Sequence, residues 1–581
     1  MLRSLLGALV LAGAILFSPE AEGALPPDYS GRFLWSTFIG GDAEDSAADV
    51  AQSASGDIFV VGSVDSPSGL SLPANTVRVG PRGMRDVVVL KFSAEGVAQW
   101  AVVFGGSKHD KGASLVLGPA GEVFVAGYTE STDFTVPRPD GSPGTRGYGS
   151  LDAFVARVNP EGRGLDWFVH VGGSDLDTAQ DMTLAEGALF IAGFTYSSNM
   201  VGGGGPASGT DGFVTRFDPS TLQVQWTELI SGGGQDVVLA VAAQAGRIVV
   251  AGHTDSWLLE GYVNNYRGGD SDGFLSVLDP TTHQVLKTLY VGGDRGDGVS
   301  ALTAFEQQGE PYVAVVGNSW SYDFLGTSRG LSDAFVALYD VRPESSTELP
   351  LRGGMRLGGA GEEFGYDVTW GGPSFPDDLY VAGMTSSSDF PLVGALDWQL
   401  EGSHEGFVAK LSLGSIQPGA WPSWSTFVGQ EGLDGINALS FSAQERLVVA
   451  GLTRSSQLPG GLPGFDSTPS SQGDMLLASM DLSIGWQPSD GGTQDGGEPW
   501  DGGWDGGLPD ASWPEPKPGD GGTGPIIKPP DLGLGGGSPL GWSCGCTSFQ
   551  GPGTLALGAL LALGLRASRR RRQGSARPAR S

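Results

Sequence analysis

Seven carboxylates recur at one place in a repeated turn. Each stands five positions after the first residue of a glycine pair or its equivalent: Asp45, Asp110, Asp177, Asp236, Asp297, Glu363 and Asp434. Two chemistries suit acids placed this way. A carboxylate in a glycine-rich turn accepts backbone N–H groups and holds the turn. A set of such carboxylates on neighbouring loops also offers the hard oxygen ligands that calcium takes. Neither the EF-hand spacing nor the glycine-rich calcium nonapeptide is present, so the sequence leaves both open, with calcium as the cofactor if a cation binds. Other chemistry is sparse. The five histidines, His109, His170, His253, His283 and His404, are spread along the repeats, mostly at different strand positions. There is no HExxH, no nucleophile elbow, and no helix after a glycine pair to make a phosphate loop. A pair of acids for glycoside cleavage would depend on three-dimensional distance, and the sequence gives it only an abundance of acids. No catalytic residue is assigned.

The elements that must position these acids are themselves repeated. "WSTFIGGDAEDSAADV" at Trp35 returns as "WAVVFGGSKHDKGASL", "WFVHVGGSDLDTAQDM", "WTELISGGGQDVVLAV", "KTLYVGGDRGDGVSAL", "GMRLGGAGEEFGYDV" and "WSTFVGQEGLDGINAL". The anchors Gly40, Gly105, Gly172, Ser231, Gly292, Gly358 and Gly429 lie 59 to 71 residues apart. Two further markers keep step: a run ending in Ala/Val-Gly, and a run resembling "DAFVAR" that begins at Asp86, Asp152, Asp211, Asp272, Asp333, Glu405 and Asp474. Each unit holds four short β-runs separated by turn residues. Seven four-stranded antiparallel sheets imply an all-β, seven-bladed β-propeller over residues 32–483, because one blade cannot bury both its faces alone. The chain begins with a lone strand at 32–38, and the seventh unit lacks its fourth. The N-terminal strand is therefore expected to pair with 474–480 and close the ring. Trp35, Trp100, Trp167, Trp226 and Trp424 share one strand position and are expected to pack between blades. Phe134, Phe324 and Phe390, each ending an "S-x-D-F" echo, are expected to plug blade junctions.

The run "DAFVARVNPEGRGLDWFVHVGGSDLD" followed by "LFIAGFTYSS" resembles the SBBP-type beta-propeller repeat of bacterial secreted proteins, over roughly residues 33–483. That resemblance implies a propeller and export, and it implies no reaction. Strands in a blade alternate direction, so the long loops between second and third strands share a face with the glycine-pair loops. The segments 64–85, 197–210 and 253–271 are long and unlike one another, whereas the other face carries tight turns. Ligand contact is expected on the long-loop face, with the seven repeat acids on its loops.

The two ends read as addresses. Arg3, the apolar run 5–17 and the small residues before Gly23 form a secretory signal, cleaved after Gly23. After the repeats, 484–541 is a Gly/Pro/Asp tract that cannot bury a core and reads as a disordered stalk. It would span roughly 40 Å as a coil and about 170 Å extended. Then follow Cys544 and Cys546, the chain's only cysteines, an apolar run at 549–565 expected to form one transmembrane helix, and an Arg-rich end within 542–581. This order resembles the C-terminal sorting signal of myxobacterial surface proteins, which a membrane protease recognises. The resemblance implies processing at Cys544–Cys546, and a thiol left near the new end is a candidate for lipid attachment. A retained membrane anchor is the plainer alternative. The formal net charge is −32, and the segment after Cys546 adds seven Arg with no acid, so a processed product is more acidic still. Such a surface disfavours nucleic acid.

These features lead to an exported, surface-displayed propeller that binds, adheres or scaffolds. Its expected partners are an extracellular protein or polysaccharide, the sorting protease, and the membrane through the C-terminal segment before processing. The competing classes are a surface polysaccharide hydrolase or lyase and a purely structural envelope protein.

Overall fold

The computed structural model describes residues 33–482, except 66–69, 204–208, 343–348, 443–445, 458, 460–463 and 471. The signal segment with Gly23, the Gly/Pro/Asp tract, Cys544, Cys546 and the apolar run 549–565 lie outside the described residues.

Seven sheets form a ring. In blade two the strands run Asp110–Leu117, Val123–Thr129, Asp152–Val158 and Leu165–Val171, each antiparallel to the next. The first strand of every blade lies innermost and touches the first strands of both neighbours, all the way round from Asp45–Gln52 to Asp434–Phe441. The ring closes as the ragged ends require. Phe33–Ile39 pairs antiparallel with Asp474–Asp481, in register from Phe33 opposite Met480 to Ile39 opposite Met475, and serves as the fourth strand of blade seven.

The strands carry apolar residues on both faces because each blade is sandwiched between two others. Ile58–Val64 is buried along its whole length. The buried apolar residues divide into seven clusters, and each cluster draws on two adjacent blades. The core of this protein is thus a set of blade junctions, including one between blades seven and one that exists only when the ring is shut.

The repeated tryptophans sit in those junctions. Trp35 stacks on Phe92 of blade one at 6.3 Å between ring centres, and its indole N–H donates to the Ala94 carbonyl. It also lies where a side chain on Gly96 would stand, and Trp100 does the same at Gly162 of blade two. Both glycines have positive φ, so these turns need glycine for conformation as well as space. Trp167 meets Phe217 of blade three at 5.7 Å. Phe134 bridges Phe104 of blade one and Phe168 of blade two, while Phe390 packs on Phe407 and Phe427 of blade six in the cluster shared with blade five, and Phe324 packs on Phe335 of blade five against the cluster shared with blade four.

One sheet departs from the four-stranded expectation. Part of the 64–85 loop of blade one folds back as a fifth strand, Thr76–Val79, parallel to the outer strand Ala98–Phe104. It covers an otherwise open sheet edge.

Trp35→Ala should lower stability by about 3–5 kcal/mol, because it opens a cavity at the closing junction. Trp421→Ala, at a ring 57% exposed, should change it by less than about 0.5 kcal/mol. Denaturant unfolding followed by circular dichroism measures both.

Candidate functional site

The seven repeat acids are not displayed on loops. Each is the first residue of an innermost strand and is buried. Each accepts the N–H four residues earlier, from Gly41, Gly106, Gly173, Gly232, Gly293, Gly359 and Gln430, at 2.7 to 3.0 Å. Hydroxyls from the end of the second strand close over them. Thr129 and Ser131 donate to Asp110, Thr195 and Ser197 to Asp177, Thr254 and Ser256 to Asp236. Thr385 and Ser387 serve Glu363, Thr453 and Ser455 serve Asp434, and Ser321 serves Asp297. The serine hydroxyl in turn accepts a turn N–H, as from Asp175 to Ser197 at 2.8 Å. In blade one Val64 takes the threonine place, and Asp45 accepts the Asp65 N–H at 2.9 Å instead. Sequence reading missed this clamp. Its signal is the "T-x-S" that follows the Ala-Gly run in "AGYTES", "AGFTYS", "AGHTDS", "AGMTSS" and "AGLTRS".

A second ring of acids stands beside the first. Asp86, Asp152, Asp211, Asp272, Asp333, Glu405 and Asp474 begin the third strands and are buried as well. Six of them accept N–H groups from the end of the preceding long loop, such as Tyr148 and Gly149 to Asp152 at 3.1 Å and Ser470 to Asp474 at 2.6 Å. The two rings meet at the anchor glycines. A Cβ on Gly40, Gly105, Gly172, Gly292 or Gly358 would fall 2.1 to 3.1 Å from a carboxylate oxygen of each ring. The glycine pair is therefore what lets two acids approach one backbone turn. Only the Asp333 carboxylate has a buried guanidinium against it, from Arg356 at 2.8 Å, among the described ion pairs.

Burial and the neighbouring acid both work against ionisation. Burial raises Asp177 and Asp236 to about 6 and Asp272 and Glu405 to about 7, with the paired acid adding to the rise. Asp110, Glu363 and Asp434 are also raised, chiefly by burial.

Three further acids line the axis. A bulge in the innermost strands turns Ala48, Ala113, Gln180, Tyr366 and Asn437 into a central cavity of about 50 Å³, with Lys111 and Tyr128 also at its wall. The next residue in three blades is Asp49, Asp181 or Asp367. Each accepts an N–H from the neighbouring blade: Leu115 at 2.7 Å, Val241 at 2.7 Å and Leu439 at 2.6 Å. Asn437 donates to the Ala47 carbonyl at 2.8 Å across the closing junction. Removal from bulk water raises Asp49 to about 8, Asp367 to about 7 and Asp181 to about 6.

No catalytic grouping emerges from the histidines. His253 and His283 share blade four, one on its second strand and the other in the turn before its fourth, and burial holds His170 and His253 down at about 4. Among the described residues, no group of three or more His, Cys, Asp or Glu side chains is arranged to hold a metal ion.

What the long-loop face exposes is aromatic and one-off. Trp257 is 81% exposed and Tyr322 57%, and Leu258, Leu331, Met84, Tyr148 and Trp398 also reach solvent from the long loops. Arg295 stacks on Tyr322 at 4.1 Å from its ring centre.

No protein-family model matches the chain. It is similar to the regulatory protein FlaEY of Caulobacter vibrioides, with 23% identity over 344 residues, which is 54% of this chain and 34% of that protein. The chain thus spans about a third of the length of this curated relative. Among solved structures it resembles U3-55K, with a TM-score of 0.41 and 12% identity over 77% of this chain and 99% of that one. It also resembles the WD40 beta propeller domain of Doa1, with a TM-score of 0.39 and 9% identity over 78% and 97%. The acylaminoacyl peptidase of Pyrococcus horikoshii aligns with a TM-score of 0.33 and 10% identity over 71% and 50%.

The raised acids fix the sign of a pH dependence. Between the ordinary carboxylate range near 4 and the folded values of about 6 to 7, the folded state binds more protons than the unfolded chain. Stability therefore falls as pH rises through that window, and Asp49, raised to about 8, carries the fall on to that pH. The thermal midpoint should be several degrees higher at pH 5 than at pH 8, and Asp272→Asn should flatten the slope. Since N–H and O–H donors already serve the repeat acids, calcium chloride or a chelator should leave the midpoint unmoved in the same scans.

Proposed function

We propose that the protein is an exported propeller, anchored at the cell surface of a Gram-negative bacterium, whose work is binding, adhesion or scaffolding rather than catalysis. One observation carries the reading. The repeated polar residues are turned inward as clamps, while the residues that differ from blade to blade are gathered on the long loops of one face. A rigid frame with variable loops on one rim suits recognition.

The address rests on the ends of the sequence. The charged start, apolar run and Gly23 support export, and the absence of cysteine before Cys544 suits a body stabilised by its own packing. The likeness to SBBP-type repeats is consistent with export. Cys544, Cys546, the apolar run and the Arg cluster support recognition by a sorting protease, with passage through the inner membrane before release to the surface. The partner is an extracellular protein or polysaccharide, and the acidic surface argues against nucleic acid.

Mass spectrometry of the protein from washed cells should give a C-terminus at or near Cys544–Cys546, with the Arg tail gone. Replacing both cysteines by serine should leave a chain that ends at Ser581 in the inner membrane. Surface display unchanged in that double variant would sink the sorting reading. Shortening the loops 64–85, 197–210 and 253–271 together, with strand Thr76–Val79 and the clamp residues Ser197, Thr254 and Ser256 kept, should leave surface level intact and abolish attachment of the cells to their target; attachment unchanged would sink the binding reading.

A further inference from the structure

We propose that the long-loop face over blades four and five holds a binding site for a neutral polysaccharide, with Trp257 and Tyr322 as its two stacking platforms. This rests on the binding-module reading and gives it a place and a ligand class.

The two rings hold equivalent positions in adjacent repeats. Trp257 directly follows Ser256, and Tyr322 directly follows Ser321. Those serines are pinned to buried carboxylates, Asp236 at 3.0 Å and Asp297 at 2.6 Å. The backbone beneath each ring is thus fixed, although Trp257 is 81% exposed and Tyr322 57%, with Arg295 stacked on one face of the Tyr322 ring. The other five repeats place Pro67, Thr132, Ser198, Ser388 and Ser456 there. A residue needed by the scaffold would recur, as the buried tryptophans do; these two rings do not.

The loops that carry them are linked through one turn. The blade-four loop that starts at Trp257 returns at Gly268 and Gly269, which lie against Asp294 and Arg295. Asp294 accepts the Tyr322 N–H at 2.9 Å, and Asp323 accepts the Asp294 N–H at 2.8 Å. The exposed rim therefore offers guanidinium donors from Arg295 beside carboxylate acceptors from Asp294 and Asp323.

The ligand class follows from that mixture. Exposed flat rings call for a partner with a flat apolar face. A polyanion would meet the field of a chain with net charge −32. A polycation needs acceptors alone and would face Arg295 at the rim. A neutral sugar chain brings apolar C–H faces for the rings and hydroxyls that both donate and accept. Two platforms held at neighbouring blades would read successive parts of one chain.

The test is affinity electrophoresis of the mature full-length protein in gels containing dextran, a soluble β-1,3-glucan, hydroxyethyl cellulose or poly-lysine. At least one neutral polymer should retard the wild type. Trp257→Ala and Tyr322→Ala should each weaken that retardation about tenfold, and Trp421→Ala should not. Equal retardation of wild type and both variants would overturn the site while leaving polysaccharide binding intact. No retardation by any neutral polymer, or retardation by poly-lysine alone, would overturn the ligand class. The binding reading itself would fall only with the loop-shortening experiment, so the two failures are separable.

Discussion

A single turn, in which a backbone N–H is donated to a buried carboxylate where two acids crowd one glycine, governs the architecture. Putting carboxylates inside a protein is costly unless each oxygen finds donors. Here part of the cost is offset by backbone N–H groups and, for five of the seven repeat acids, by a threonine and a serine from the next strand. The clamp ties the entry of each innermost strand to the exit of its second strand, and the neighbouring acid ties in the end of the long loop. Repeated round the ring, this network fixes the rim of one face. Without it the long loops would leave the blades at no defined angle, and the exposed rings on them would have no defined spacing.

The remaining interactions fill the space below that rim. Apolar strands pack blade on blade, and tryptophans from outer strands press on the glycine turns of the next blade. Asp49, Asp181, Asp367 and Asn437 stitch neighbouring blades along the axis. The pressure on ionisation at both places shows what the arrangement sacrifices. Carboxylates that would be comfortable at the surface are held where their charge is disfavoured, and the closed ring is what keeps them there.

Much of this was legible in the sequence, for a physical reason. A repeat reports its own period, so blade number, strand order and ring closure by Phe33–Ile39 could be read from recurring residues. The acids were legible as a set, and their role as turn acceptors was one of the two chemistries their setting suggested. Their burial was not legible, because the hydroxyls that cover them lie 18 to 24 residues away in the chain, as with Thr195 and Asp177 or Ser321 and Asp297. The axial acids occur in only three blades and leave no periodic trace. Strand Thr76–Val79 sits in a loop with no repeat counterpart and is fixed by the sheet edge it covers. Trp257 and Tyr322 escaped notice for the same reason: what occurs once or twice cannot announce itself by recurrence.

The division of labour between clamp and loop can be measured directly through amide hydrogen exchange at the turn glycines. If the carboxylates are structural acceptors, the N–H groups of Gly41, Gly106, Gly173, Gly232, Gly293 and Gly359 exchange as slowly as the inner strands, with or without a chelator. Amides of the long loops, such as those near Trp257, exchange rapidly beside them. Fast exchange at these glycines that slows only when calcium is added would contradict this, and would make the repeat acids a cation-binding ring rather than the frame of the fold.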